Sequence, residues 1–185
     1  MLKRICMLLV LLISCIGCDQ VTKKAATQWL HGEPVRSYLG DSFRLLYAEN
    51  TGAFLGMGSD WPDFVRYGLF TVLSMLAVGL ALGWVVRRVL KTGSFRPHGQ
   101  TLGALLLAAG GIGNLIDRVM REGAVIDFMN MGVGSLRTGI FNIADVQIMV
   151  GMALFAFWKA PRSDSEPSDG KSASPVRAPA QQQWP

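Results

Sequence analysis

Gly110-Gly111-Ile112-Gly113-Asn114-Leu115-Ile116-Asp117-Arg118, then Val125-Ile126-Asp127-Phe128, then Phe141-Asn142-Ile143-Ala144-Asp145 set three aspartates and two asparagines between hydrophobic segments. A charge carried into a bilayer costs at least ~2.5–3.5 kcal/mol, so ionisable groups at the edge of an apolar span call for a functional explanation. Whether the flanking segments cross a membrane decides what these groups are for.

Half of the 185 residues are hydrophobic and only 17% are charged, a balance that excludes an ordinary soluble domain. A span needs about 20 mostly apolar residues, and four segments approach that length, at about 5–26, 64–86, 100–116 and 141–158. The expected fold class is a mainly α membrane protein: four transmembrane helices with a small β-structured outer (periplasmic) region. Residues 1–158 read as a single polytopic membrane domain with outer loops at about 27–63 and 117–140. Residues 159–185 hold five of the eight prolines among Ser, Gln and Ala; they cannot bury a core and read as a disordered cytoplasmic tail.

Short cytoplasmic loops are enriched in Lys and Arg. Lys3 and Arg4 precede the first span, Arg87, Arg88, Lys91 and Arg96 follow the second, and Lys159 and Arg162 follow the fourth. Both termini are therefore expected in the cytoplasm of a multi-pass protein. Asp19, Lys23, Asn50, Asp117, Asp127 and Asp145 then all fall at the outer ends of the spans. Scattered tolerated polar residues do not gather on one side, whereas an active site at the outer surface does.

The N-terminus offers a competing reading. Lys3-Arg4 before an apolar run, with Leu12-Ile13-Ser14-Cys15, resembles the signal of a lipoprotein precursor. Three further apolar segments and the amphipathic continuation Asp19-Gln20-Val21-Thr22-Lys23 oppose it. Alternation within Arg36–Tyr47 and the run Val125–Met131 predict short strands. Trp29, Trp61, Tyr67, Trp84 and Trp158 read as interfacial anchors.

The chemical inventory is short. His31 and His98 fall on opposite sides of the membrane and no HExxH is present, so no paired-histidine metal site is indicated. Cys6, Cys15 and Cys18 all lie in the first span, with no histidine near the same face. GGIGN lacks the Lys-Ser/Thr end of a phosphate-binding loop, and its glycines fit close helix packing instead. No cofactor, metal or nucleotide is implied. A serine with Lys23 as base lacks a distinctive outer serine.

Paired aspartates remain. Two carboxyls forced together in a poorly hydrated site share a proton, so one takes a proton from water while the other gives one to a peptide oxygen. Asp145 has a local account, because Asn142 three residues earlier caps a helix whose N-terminus favours a negative charge. Asp117 ends its span at the unfavourable helix terminus and needs a partner, Arg118 or Lys23. Asp127, among Val125, Ile126 and Phe128, has no obvious local partner. From the residues alone, Asp127 with Asp145 is only modestly ahead of Asp117 with Asp145.

The ordered set DQVTK at Asp19, NTGA at Asn50, GGIGNLIDR at Gly110, VIDF at Val125 and FNIAD at Phe141 resembles the bacterial lipoprotein signal peptidase (signal peptidase II) family over about residues 5–158. The resemblance implies an aspartic endopeptidase of the bacterial inner membrane. It would remove signal peptides from diacylglyceryl-modified prolipoproteins, cutting just before the lipidated cysteine, with no obligate protein partner and no nucleic acid. It also implies Asp127 and Asp145 as the catalytic pair. Asp19, Lys23, Asn50, Gly52, Asn114, Asp117, Arg118 and Asn142 match substrate-binding or site-supporting positions. After NTGA the family usually has a small residue and then an aromatic; Phe54 and Leu55 depart from that pattern. The rival function, a small polytopic transport or scaffold protein, predicts acidic residues near the midplane or facing both sides.

Overall fold

The computed structural model describes residues 2–51, 62–92 and 99–158. In chain order its elements are α1 (Leu2–Leu30), β1 (Arg36–Tyr38), β2 (Phe43–Asn50), α2 (Asp63–Thr92), α3 (Gly99–Met120), β3 (Val125–Val133), β4 (Leu136–Arg137) and α4 (Ile143–Phe157). α1, α2 and α3 are each long and apolar enough to cross a membrane. α4 is apolar but shorter, with 15 residues spanning about 22 Å at the α-helical rise. The protein is a multi-pass, mainly helical membrane protein with one small antiparallel sheet. Gly52, Phe54, Leu55, Trp61, Arg96, His98 and the tail from 159 lie outside the described residues.

α3 is the central helix, and the glycines of GGIG explain how it serves three neighbours. A Cβ at Gly111 would come 2.5 Å from Val78 Cγ2 of α2, and one at Gly113 2.5 Å from Asp19 Oδ2 of α1. One at Gly110 would overlap Ala144 O of α4. Further along the α3–α4 contact, a Cβ at Gly103 would lie 2.6 Å from Gly151 O. Such close approach is what holds helices together where lipid supplies no hydrophobic drive. Toward the other end of the bundle, Val85, Ala104 and Leu105 gather Leu8, Leu11, Leu12 and Phe155. Trp84, expected as an interfacial anchor, meets Phe155 edge-on at 5.0 Å there and so joins two helices.

α1 runs past the end expected for the first span and reaches Leu30. The reason is a single stripe: Asp19, Lys23, Ala26 and Leu30 follow at helical spacing, polar first and apolar after. Ala26 and Leu30 pack with Ile126 and Phe128 of β3, fastening the end of α1 beneath the sheet. α3 likewise continues past Ile116 to Met120, which sets Asp117 within its last turns. The turn that follows uses Gly123 at φ +98°, where a Cβ would also lie 2.8 Å from Tyr67 Cδ2.

The strands expected near 36–47 and 125–131 are present, in the order β1-β2-β3-β4. Asn50, expected in the first outer loop, lies on β2, and Asp127, within the strand expected at 125–131, lies on the adjacent β3. The register shifts between Leu45↔Met129 and Ala48↔Asp127, so Leu46 and Tyr47 face the single residue Phe128. Such a bulge bends the strand and re-aims the side chains beside it. Ile126 and Phe128 turn to the core while Asp127 takes the other face.

Candidate active site

Asn142 organises the centre. It is the N-cap of α4, its Oδ1 accepting from Asp145 N at 2.9 Å while Asp145 Oδ2 accepts from Asn142 N at 3.1 Å. The capping box fixes the Asn142 amide, so its Nδ2 points away from α4 and donates to Asp127 Oδ1 at 2.7 Å. One fully buried asparagine thus ties β3 to α4 and holds both aspartates. The second oxygen of each carboxyl is also engaged. Asp127 Oδ2 accepts from Asn50 Nδ2 at 3.0 Å, and Asp145 Oδ1 accepts from Asn114 Nδ2 at 3.0 Å.

These donors are all neutral, and Asp127 is only 2% exposed. Burial, joined by the charge of Asp145, pushes Asp127 up to about 6 against the opposing hydrogen bonds of Asn50 and Asn142. Asp145 sits in the first turn of α4, where the helix dipole favours a negative charge. The two carboxyls therefore differ in environment, the arrangement that separates an acid from a base.

Beside this pair lies a charged cluster. Lys23 Nζ is 2.9 Å from Asp19 Oδ2 and 2.9 Å from Asp117 Oδ2, all three side chains being buried. Asp19 Oδ1 accepts from Ala144 N at 2.9 Å, so α1 supplies a second cap to α4. Asp117 Oδ2 accepts from Ile126 N at 3.1 Å, orienting the start of β3. The partner that the sequence left open for Asp117 is therefore Lys23. Asn114 joins the two groups, its Oδ1 accepting from Lys23 Nζ at 2.8 Å and Asn142 Nδ2 at 3.2 Å. Arg118 lies within the electrostatic reach of Asp145, Asp127 and Asp117 and donates to Ser74 Oγ at 3.4 Å.

Nine of the ten residues singled out from sequence converge at this end of the bundle, and the tenth, Gly52, lies outside the described residues. Gln20 and Ser74 join them without having been singled out. Gln20 Nε2 bonds Asp19 Oδ2 and Gly113 O, each at 3.1 Å, and its place inside DQVTK was the available signal. Ser74 carried none, being one hydroxyl in an apolar helix. His31 packs edge-on against Tyr47 at 4.7 Å, and Cys6, Cys15 and Cys18 are free thiols. Among the described residues, no group of three or more His, Cys, Asp or Glu side chains is arranged to hold a metal ion.

Comparison with known proteins agrees with this architecture. The family model described as signal peptidase (SPase) II matches residues 11–160. A lipoprotein signal peptidase of Sphingopyxis alaskensis is 35% identical over 158 residues, covering 81% of this chain and 86% of the relative. One of Borreliella burgdorferi is 32% identical over 151 residues, covering 79% and 85%. Two solved structures described as a bacterial membrane enzyme share the fold, with TM-scores of 0.61 and 0.62 at 24% and 22% identity. Each covers 80% of this chain, and the chain covers 84% and 88% of theirs. The chain belongs to the signal peptidase II family, a family of aspartic peptidases.

Proposed function

We propose that this protein removes signal peptides from diacylglyceryl-modified prolipoproteins, cutting just before the lipidated cysteine, with Asp127 and Asp145 as the catalytic pair. The observation that carries the reading is the Asn142 bridge, one buried amide and its own backbone N–H holding both carboxyls at the outer end of the bundle. Asp145, at a helix N-terminus with two N–H donors, takes a proton from the attacking water. Asp127, pushed up to about 6 by burial, carries the shared proton and gives it to the scissile carbonyl oxygen. The tetrahedral intermediate then collapses as the leaving amine takes a proton from the pair. Arg118 faces both carboxyls from α3 and balances the charge of the occupied site.

The surroundings support the same reading. The cell is bacterial and the membrane its inner one, with N- and C-termini cytoplasmic and four spans forming one domain over residues 1–158. The cluster of Asp19, Lys23, Asn114, Asp117 and Asn142 supports the pair, and Asn50 covers it from β2. Gly52 is proposed as a site-supporting residue by its motif. A lipid-anchored cysteine keeps the scissile bond at the depth where these groups lie, so the substrate arrives from the bilayer.

The test is cleavage by purified protein of a prolipoprotein peptide with and without its diacylglyceryl group. The lipidated peptide should be cut on the N-terminal side of the modified cysteine and the other should not. Equal cutting of both, or no cutting by folded protein, would count against the substrate assigned and favour the transport or scaffold reading.

A further inference from the structure

Lys23 is the one buried cation of the centre, 1% exposed, yet the groups it contacts are Asp19, Asp117 and Asn114 rather than the aspartate pair. Its bond to Asn114 reaches further than the ion pairs do. A primary amide presents an acceptor at one end and two donors at the other, and turning it over exchanges them at little steric cost. Asn114 Oδ1 is claimed twice, by Lys23 Nζ at 2.8 Å and by Asn142 Nδ2 at 3.2 Å. That leaves Nδ2 to donate to Asp145 Oδ1 at 3.0 Å. Turned over, the amide would set N–H groups against an ammonium and an oxygen against a carboxylate, in a place where unpaired polar groups are costly.

We propose that Lys23 is a positioning residue of the reaction: it locks the Asn114 amide in the orientation that donates to Asp145 and accepts from Asn142, so that a fixed cation on α1 sets the hydrogen-bond polarity at both aspartates. This rests on the catalytic pair proposed above. The charged groups around Lys23 are Asp19 on α1 and Asp117 and Arg118 on α3, with Asp145 on α4 and Asp127 on β3 beyond the amides. Asp19 and Asp117 hold the ammonium where Asn114 needs it. The ion cluster therefore belongs to the chemistry as well as to helix packing.

The experiment measures kcat, KM and the pH dependence of kcat on a diacylglyceryl-modified prolipoprotein peptide for Lys23→Gln, Asn114→Ala, their double variant, and Asp117→Asn. Lys23→Gln should lower kcat about 100-fold with KM within about threefold. It should also move both limbs of the pH profile upward by about one unit, because an Asp145 carboxyl that loses its fixed Asn114 N–H donor favours the protonated form. Asn114→Ala keeps Lys23 beside its two carboxylates and should give the same fall and the same displacement. In the double variant the losses should not add. Asp117→Asn loosens the hold on the ammonium without removing it, and should lower kcat less than Lys23→Gln does. An unmoved pH profile in folded Asn114→Ala overturns the proposal whether or not Lys23→Gln folds, and so do additive losses. Cleavage by Asp127→Asn at the wild-type rate would instead overturn the catalytic pair itself.

Discussion

Two sets of carboxylates sit side by side at one end of this bundle and are held in opposite ways. Asp19 and Asp117 share the ammonium of Lys23 at 2.9 Å each. Asp127 and Asp145 take their hydrogen bonds from the amides of Asn50, Asn114 and Asn142 and one backbone N–H. A cation in contact offsets much of the cost of burying a carboxylate's charge, whereas neutral donors offset less of it. The same side chain is thus an ion-paired strut in one place and a group held by neutral amides in another, and its partners set the difference.

The largest expected effect separates the two sets by activity. Asp127→Asn or Asp145→Asn should reduce cleavage about a thousandfold or more, since an amide neither takes up nor shares the proton. Mass spectrometry of the products, on variants that keep the wild-type unfolding transition, checks this. Retained turnover in either one breaks the contrast.

The next effect falls on stability. Asp19→Ala removes a partner of a buried cation and the second cap of α4, and should cost about 3–5 kcal/mol, read from unfolding in detergent. The proposed catalytic set predicts the reverse. A carboxyl whose folded value lies near 6 against an ordinary 3.8 is protonated more readily when folded. The native state therefore loses stability as pH rises between those values, by ~3 kcal/mol in full above 6. Asp127→Asn has no such charge to bury, so it should be more stable than wild type at pH 8 and near equal to it below pH 4. A variant less stable than wild type at pH 8 would show that Asp127 is a strut like Asp19.

Much of this was legible in the chain, and the limits have physical causes. The apolar segments predicted the helices, and Phe43-Arg44-Leu45 and Val125–Met131 predicted strands that are present. The Asn142–Asp145 cap lies three residues apart and could be read locally. Asp117 as a rival to Asp127 could not be dismissed, because its partner Lys23 is 94 positions away and enters from another helix. The cap that Asp19 gives Ala144 has no local signal either. The end of α1 ran beyond expectation because Ala26 and Leu30 pack on β3, a surface invisible to hydropathy along a single segment. The shortness of α4 follows from its cap at Asn142, which leaves Phe141 to bridge Met129 of the sheet.

A third carboxylate sharpens the contrast from its weak end. Asp41 lies in the β1–β2 turn and is held well below the usual carboxylate range by the Arg44 guanidinium and the Ser37 hydroxyl. It is cation-paired like Asp19 but open to solvent, where such pairs contribute little. Asp41→Ala should leave turnover of the lipidated peptide within about twofold of wild type.

The most direct test of proton sharing is the pH dependence of kcat/KM for the wild-type protein on a diacylglyceryl-modified prolipoprotein peptide, which reports the essential groups of the free enzyme. A bell belonging to the pair as a whole is predicted, with its alkaline limb near 6 where Asp127 gives up its proton. A rate that stays level from pH 5 to pH 8 would contradict it, because no aspartate would then be holding the proton on which the mechanism depends.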